Sequence, residues 1–246
     1  MLVQYGHAPI AVFDGAWQLP QWDPSGLPAV APQIAEVVLT GLGVAEPITG
    51  ATYGPTEYYC AGDEQGYTLV YPPGVEVPDS DFISVTADWD VQPRPVAQTG
   101  LDNPEYQTVG ESLVDPAAGV DPATGEVTQI VRADLDGNGA DEVLFRFAHQ
   151  TDDGGFGAAG DFTLIIARFP QPDATVVDSV LWSFYEQDPV DFPNPGDADL
   201  VAVADLNGDG VMEVVVGSRY WEAVLADVYV FDGTALTALS GGGCGV

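Results

Sequence analysis

The sequence predicts a mainly β fold, and three observations carry that expectation. Twenty-nine glycines and twenty prolines in 246 residues cut the chain into short elements. Between the cuts lie runs rich in Val, Ile, Phe and Tyr at lengths usual for strands. Two of these runs are preceded by the same acidic, glycine-containing loop, as at a strand-to-strand turn.

In chain order the strand candidates are TLVY, FISVTADW, VTQIVRAD, EVLFRF, DFTLIIARF, LVAVAD, MEVVVGS and ADVYVFDG. Two helices are expected beside them. In NPEYQTVGESLVDP, Asn103 caps, Pro104 takes the first turn, and Tyr106, Val109 and Leu113 share a face before Asp115-Pro116 stops the helix. In APQIAEVVLTGLG, Ile34, Val37 and Val38 have helical spacing, although EVVLT also suits a strand. The stretches IAVFDGAW and VYVFDGTA, near the two ends, look alike and raise the possibility of a closing strand shared between them.

The repeat organises the second half. Ala133-Asp134-Leu135-Asp136-Gly137-Asn138-Gly139 aligns without gaps over Ala204-Asp205-Leu206-Asn207-Gly208-Asp209-Gly210, 71 residues later. Each copy continues into a Glu-Val pair, at Glu142 and at Glu213, and then a strand. A worn third copy, Ala87-Asp88-Trp89-Asp90, lacks the glycines and the later acids and cannot bind metal as the others can. The expected division is a β-rich region over 1–100, itself a candidate degenerate blade, and two repeats over 101–246 with loops at 134–142 and 205–213.

Numbered from its first aspartate, each loop offers oxygens at positions 1, 3, 5, 7 and 9. These are Asp134, Asp136, Asn138, the Ala140 carbonyl and Glu142 in one copy, and Asp205, Asn207, Asp209, the Val211 carbonyl and Glu213 in the other. Short oxygen-bearing side chains on a tightly turned loop can converge on a hard cation, and the glycine at position 6 supplies the sharp turn. Calcium fits better than magnesium, which demands a smaller and stricter octahedron. An EF-hand would need a glutamate at position 12, where Phe145 and Val216 stand, and helices would flank it. The plainer alternative is that Asp-Gly and Asn-Gly make good hairpin turns with solvated acids. Two in-register copies with acids matching at positions 1 and 9 favour metal.

From about Thr128 to Val246 the chain resembles the FG-GAP and VCBS repeat family, whose blades carry D-x-D-x-D-G-x-x-D before a hydrophobic strand often ending Gly-Ala-Pro; EVVVGSR is similar to that ending. This sequence departs from the pattern with an asparagine at one mid-loop position per copy, glutamate for the last aspartate, and no Phe-Gly ahead of either loop. The resemblance implies a small, irregular β-propeller-like fold with two calcium hairpins on one rim, and blades of about 60 residues. A β-rich α+β domain carrying two calcium hairpins is the alternative.

Charge limits the partners. Thirty-eight acids face five arginines and no lysine, for a net charge of −33, which two divalent ions would lower only to −29. Such a surface repels nucleic-acid phosphates and anionic membranes, and no run is long and apolar enough to insert. The acids suit a solvated face in salty or extracellular surroundings. MLVQYGHAPI has no signal-peptide pattern, so either a signal was trimmed or the chain is cytoplasmic. Cys60 and Cys244 fit no CxxC motif. They are either two reduced thiols or a disulfide closing 184 residues, for which chain entropy gives roughly 5 kcal/mol.

Other motifs fall short. Gly155-x-Gly157-x-x-Gly160 follows TDDG rather than a strand and precedes a strand rather than a helix, so it is no dinucleotide fingerprint. His7 and His149 form no HExxH, and no GxSxG is present. Glu57, Asp63 and Glu64 around Cys60 are a solvated-loop cluster to inspect for acid–base work. Trp17, Trp22, Tyr53, Tyr58 and Tyr59 are either core or a platform for a sugar or peptide. The expectation is a non-enzymatic, calcium-binding, secreted or cell-surface module for adhesion or ligand binding, its partner a protein or glycan. The alternatives are a glycan-binding or hydrolase-associated domain and a protein adapted to high salt.

Overall fold

The structure is a computed structural model; it describes residues 2–5, 8–18, 36–56, 66–75, 82–151, 158–171, 173–187, 196–220, 223–239 and 241–245. In the first half lie strands β1 (Leu2–Tyr5), β2 (Ala8–Phe13), β3 (Trp17–Gln18), β4 (Glu36–Thr40), β5 (Ala45–Thr49), β6 (Thr52–Thr56), β7 (Gly66–Val70), β8 (Ile83–Val85) and β9 (Val96–Gln98), then helix α1 (Pro104–Leu113). There follow β10 (Glu126–Ala133), β11 (Glu142–His149), β12 (Phe162–Pro170), β13 (Val176–Tyr185), β14 (Asp197–Ala204), β15 (Glu213–Tyr220), β16 (Ala223–Phe231), β17 (Leu236–Ala238) and β18 (Gly242–Gly245). The fold is mainly β.

The strands form a first sheet in the order β3-β2-β1-β8-β4-β5, a second in the order β13-β12-β11-β10-β9, a third in the order β14-β15-β16-β17 with β18 also on β16, and the hairpin β6-β7. Among the described residues none of these sheets closes into a barrel. β10 to β13 and β14 to β17 are two antiparallel meanders, and the tip of each first hairpin is one of the acidic loops.

The sheets stack face to face. One face of the third packs Leu200, Val214 and Phe231 against Leu144, Ile165 and Phe169 of the second. Its other face packs Val201, Val215 and Val228 against Val3, Ile10 and Ile83 of the first. The far face of the second sheet is covered by α1, where Tyr106, Val109 and Leu113 meet Phe145, Phe147 and Leu164. Strands buried on both faces carry unbroken apolar runs instead of alternation. That is why 162–169 in β12 and 213–218 in β15 are buried throughout. A bulge between Leu200 and Ala202 lets both Val201 and Ala202 reach the first-sheet core while Ala198, Leu200 and Val203 serve the second-sheet side.

Helix α1 forms as its sequence requires. Asn103 Oδ1 accepts from the Glu105 N–H at 3.0 Å, Pro104 opens the helix, and Tyr106 is buried. The helical alternative over APQIAEVVLTGLG is corrected: residues 36–40 are strand β4, whose Val37, Val38 and Leu39 are all buried. Burial on both faces, Val37 against Ala51 and Val38 in the first core, with β-branched residues that suit a strand, outweighs the helical spacing, and Ile34 lies outside the described residues. The two look-alike ends are separate hairpins, β2-β3 and β16-β17, each turning on Asp-Gly with positive φ at Gly15 and Gly233. They belong to different sheets, and β1 pairs with β8 within the first, so among the described residues no strand is shared between the two ends.

Gly110 marks where α1 meets the sheet, since a Cβ there would lie 2.5 Å from Phe147 Cγ. Gly110→Ala should therefore destabilise by about 1–3 kcal/mol in chemical denaturation, against the gain of about 1 kcal/mol that helix propensity alone gives. A stabilised variant would mean that α1 does not pack on Phe147.

Candidate metal centre

Both loops are built by the same hydrogen bonds. Asp134 Oδ1 accepts from the Gly137 N–H (2.8 Å) and Oδ2 from the Gly139 N–H (3.0 Å). Asp205 Oδ1 accepts from Gly208 (2.7 Å) and Oδ2 from Gly210 (2.9 Å). The position-9 glutamates are the first residues of β11 and β15. Each draws the neck closed, Glu142 Oε2 accepting from the Leu135 N–H at 2.8 Å and Glu213 Oε2 from the Leu206 N–H at 2.7 Å. Glycine is needed at position 4 as well as 6, because φ is +78° and +89° at Gly137 and Gly139, and +80° and +86° at Gly208 and Gly210. Phe145 and Val216, at position 12, are buried in strands.

The first loop brings one oxygen each of Asp134, Asp136 and Glu142 within 4.8 Å of one another. Asn138 Oδ1 accepts from the Ala140 N–H (2.8 Å) and keeps a second lone pair. In the second loop the Asn207 amide lies between two acids, donating to Asp209 Oδ2 (3.1 Å) and Glu213 Oε1 (3.0 Å). Its Oδ1 accepts from the Asp209 N–H, and Asp209 Oδ1 accepts from the Val211 N–H (2.8 Å). These are all-oxygen donor sets with no thiolate or imidazole, the chemistry of a hard cation. The residues of the first loop fit such an ion as they stand, whereas the second needs the Asn207 amide to present its oxygen.

Glu213 is buried, and that burial, with the charges of Asp209 and Asp205 added, pushes its carboxyl up to about 8. Glu142 is raised too, by burial first and then by Asp136 and Asp134. Such crowded acids hold a repulsion that a divalent cation would relieve.

Sequence reasoning missed the residues that join the loops. Arg94 donates to the carbonyls of Asp134, Leu135 and Gly210, and Trp89 Nε1 donates to the Asp205 carbonyl at 2.9 Å. Trp89 belongs to the worn third copy and Arg94 is one of only five bases, but neither fact points to the backbone carbonyls they bind.

Of the other candidates, Trp17 packs on the first core and meets Phe13 edge-on at 5.3 Å, while His149 lies 6.1 Å from the Phe162 ring. Glu57, Tyr58, Tyr59, Cys60, Asp63, Glu64, Trp22, His7, Gly155 and Gly157 lie outside the described residues. Away from the loops, a cavity of about 340 Å³ opens where the sheets meet, walled by Leu39, Leu42, Phe82 and Leu200 with Gln98 and Gln129. That size is at the lower end for small-molecule sites. No helix among the described residues is long and apolar enough to cross a membrane. No protein-family model, curated protein or solved structure matches the chain.

The loops differ in burial, Asp205 being buried and Asp134 half-buried. In chelator, Asp205→Ala should cost about 1–3 kcal/mol, because its carboxylate bonds are part-buried and the Gly210 N–H is left stranded in a half-buried place, and Asp134→Ala less, since both Gly137 and Gly139 are exposed to water. Denaturant titration of both variants checks the order, and a larger loss in Asp134→Ala would contradict it.

Proposed function

We propose that this chain is a non-enzymatic, calcium-stabilised β module of a secreted or cell-surface protein, working in adhesion or ligand binding. The observation that carries the proposal is the pair of hairpin loops, alike in sequence and in hydrogen bonding, one of which gathers three carboxylates within 4.8 Å. In this reading the loops are FG-GAP/VCBS-type calcium hairpins, and the face-to-face stack is a small, irregular propeller-like arrangement of blades. Each loop places three carboxylates at its ligand positions, enough for a weak site of about 10⁻⁴ to 10⁻³ M, suited to extracellular calcium. Calcium acts structurally: the loop's own side chains fill most of the coordination, and neither described loop has a histidine beside it to serve as a base.

Thermal melting over a calcium titration tests this. At tenfold over Kd each site should add about 1.4 kcal/mol, or roughly 3–5 °C, with magnesium giving less. Asp134→Ala and Asp205→Ala should each remove one site's share. A melting temperature indifferent to millimolar calcium would sink the proposal.

A further inference from the structure

The worn third copy lies between the two acidic loops. It follows β8 as they follow β10 and β14, and Ala87, two residues past its strand, is buried like the strand-end Ala133 and Ala204. Its own acids build no loop of the same kind; instead it makes bonds to both neighbours. Arg94 Nε donates to the Asp134 carbonyl (2.5 Å), and Nη2 donates both to the Leu135 carbonyl (2.6 Å) and to the Gly210 carbonyl (2.7 Å). The Val91 carbonyl accepts the Asp205 N–H at 2.8 Å, and the Trp89 N–H goes to the Asp205 carbonyl. The Trp89 ring also lies against Gly208, where a Cβ would come within 3.2 Å of it. The loops touch directly through the Met212 N–H on the Leu135 carbonyl (2.8 Å).

We propose that residues 87–94 are a clamp coupling the two acidic loops, with Arg94 the positioning residue that both share. Its partners are the backbone of position 1 in one loop and of position 6 in the other. Asp134 is the residue whose carboxylate gathers the first loop, and Gly210 is the residue whose N–H the Asp205 carboxylate holds. A shift at either position must move the planar guanidinium and therefore the other. Pro93 and Pro95 flank Arg94 and restrict the backbone that presents it. The fixed fork also makes lysine a poor substitute, because a single ammonium cannot hold three carbonyls in one plane. Its positive charge, set between two acidic loops, eases their mutual repulsion. The bonds themselves need no metal. The extension to calcium rests on the function proposed above: an ion in one loop would then change the affinity of the other, by the same factor in both directions.

Amide hydrogen exchange on the full chain in chelator, followed by calcium calorimetry, tests the clamp in the parent, Arg94→Lys, Asp205→Asn and the double variant. Arg94→Lys should speed exchange in both 137–140 and 208–212 by roughly fivefold to tenfold, while the amides of β12 stay protected. Asp205→Asn should speed exchange in its own loop and also at 137–140, the distant effect disappearing in the double variant. If Arg94→Lys does not fold, Trp89→Phe must still speed 208–212, and Asp205→Asn must still reach 137–140. The proposal is overturned if Asp205→Asn leaves 137–140 unchanged, or if Arg94→Lys alters only one loop. In calorimetry the parent should bind two calcium ions with affinities that depend on each other, and Arg94→Lys two independent ions. Independent sites in the parent would overturn the coupling and leave the calcium reading intact. No calcium uptake, with the exchange coupling present, would overturn the calcium reading and leave the clamp.

Discussion

The architecture depends on the third sheet being covered on both faces. β14 and β15 have no solvent side: Leu200, Val203, Val214 and Val216 are buried against the second sheet, and Val201, Ala204 and Val215 against the first. Each such valine or leucine side chain is worth roughly 1.5–3 kcal/mol when fully buried, so the two neighbours are held by one shared slab of apolar residues. That slab also aims the loops. The antiparallel pairing of Ala204 with Glu213, and of Ala133 with Glu142, places a carboxylate at the buried start of each return strand, where it can only face the neck of its own loop. Stacking therefore fixes where the acids point before any ion is considered.

Charge is handled by scarcity. Five arginines cannot neutralise 38 acids, and each is found at a joint. Arg146 on β11 crosses to β14, donating to the Ala198 carbonyl at 2.9 Å and pairing with Asp197. Arg168 on β12 pairs with Asp178 on β13 at 2.7 Å and with Glu105 on α1 at 2.9 Å, its guanidinium 5.6 Å from the centre of the Tyr106 ring. Arg219 ties β15 to Asp199, Arg132 reaches Asp141, and Arg94 holds the loops. Arginine suits these places because it offers several donors in a fixed plane. The exposed acids need no partners beyond water, whereas the joints do.

Much of this was legible in the sequence. Helix α1 carried its cap, its proline and its apolar face within fourteen residues of local code. The loops were legible because side-chain oxygens and glycines must recur at fixed offsets if a hairpin tip is to close on itself, and two copies made the offset visible. β4 was ambiguous because EVVLT satisfies two periodicities over five residues, and only the sheet it joins decides between them. Nothing local could show that β8 would take β1 as its neighbour, since that pairing joins residues 83–85 to residues 3–5. Arg94 escaped for the same reason: its acceptors are backbone carbonyls, which carry no sequence signature.

The two loops share one plan but not one balance of forces. The first keeps its acids half-exposed apart from Glu142, and its carboxylates converge with no donor side chain among them. The second is deeper, with Asp205 and Glu213 both buried, and the Asn207 amide supplies two N–H bonds where charge would otherwise face charge. An amide donor in that place gives the second loop internal support that the first lacks. Because Leu135 and Gly210 meet on one guanidinium nitrogen, the self-supported loop can brace the one that is more open. The worn copy, which has neither the glycines nor the later acids, is the contact through which the other two loops meet.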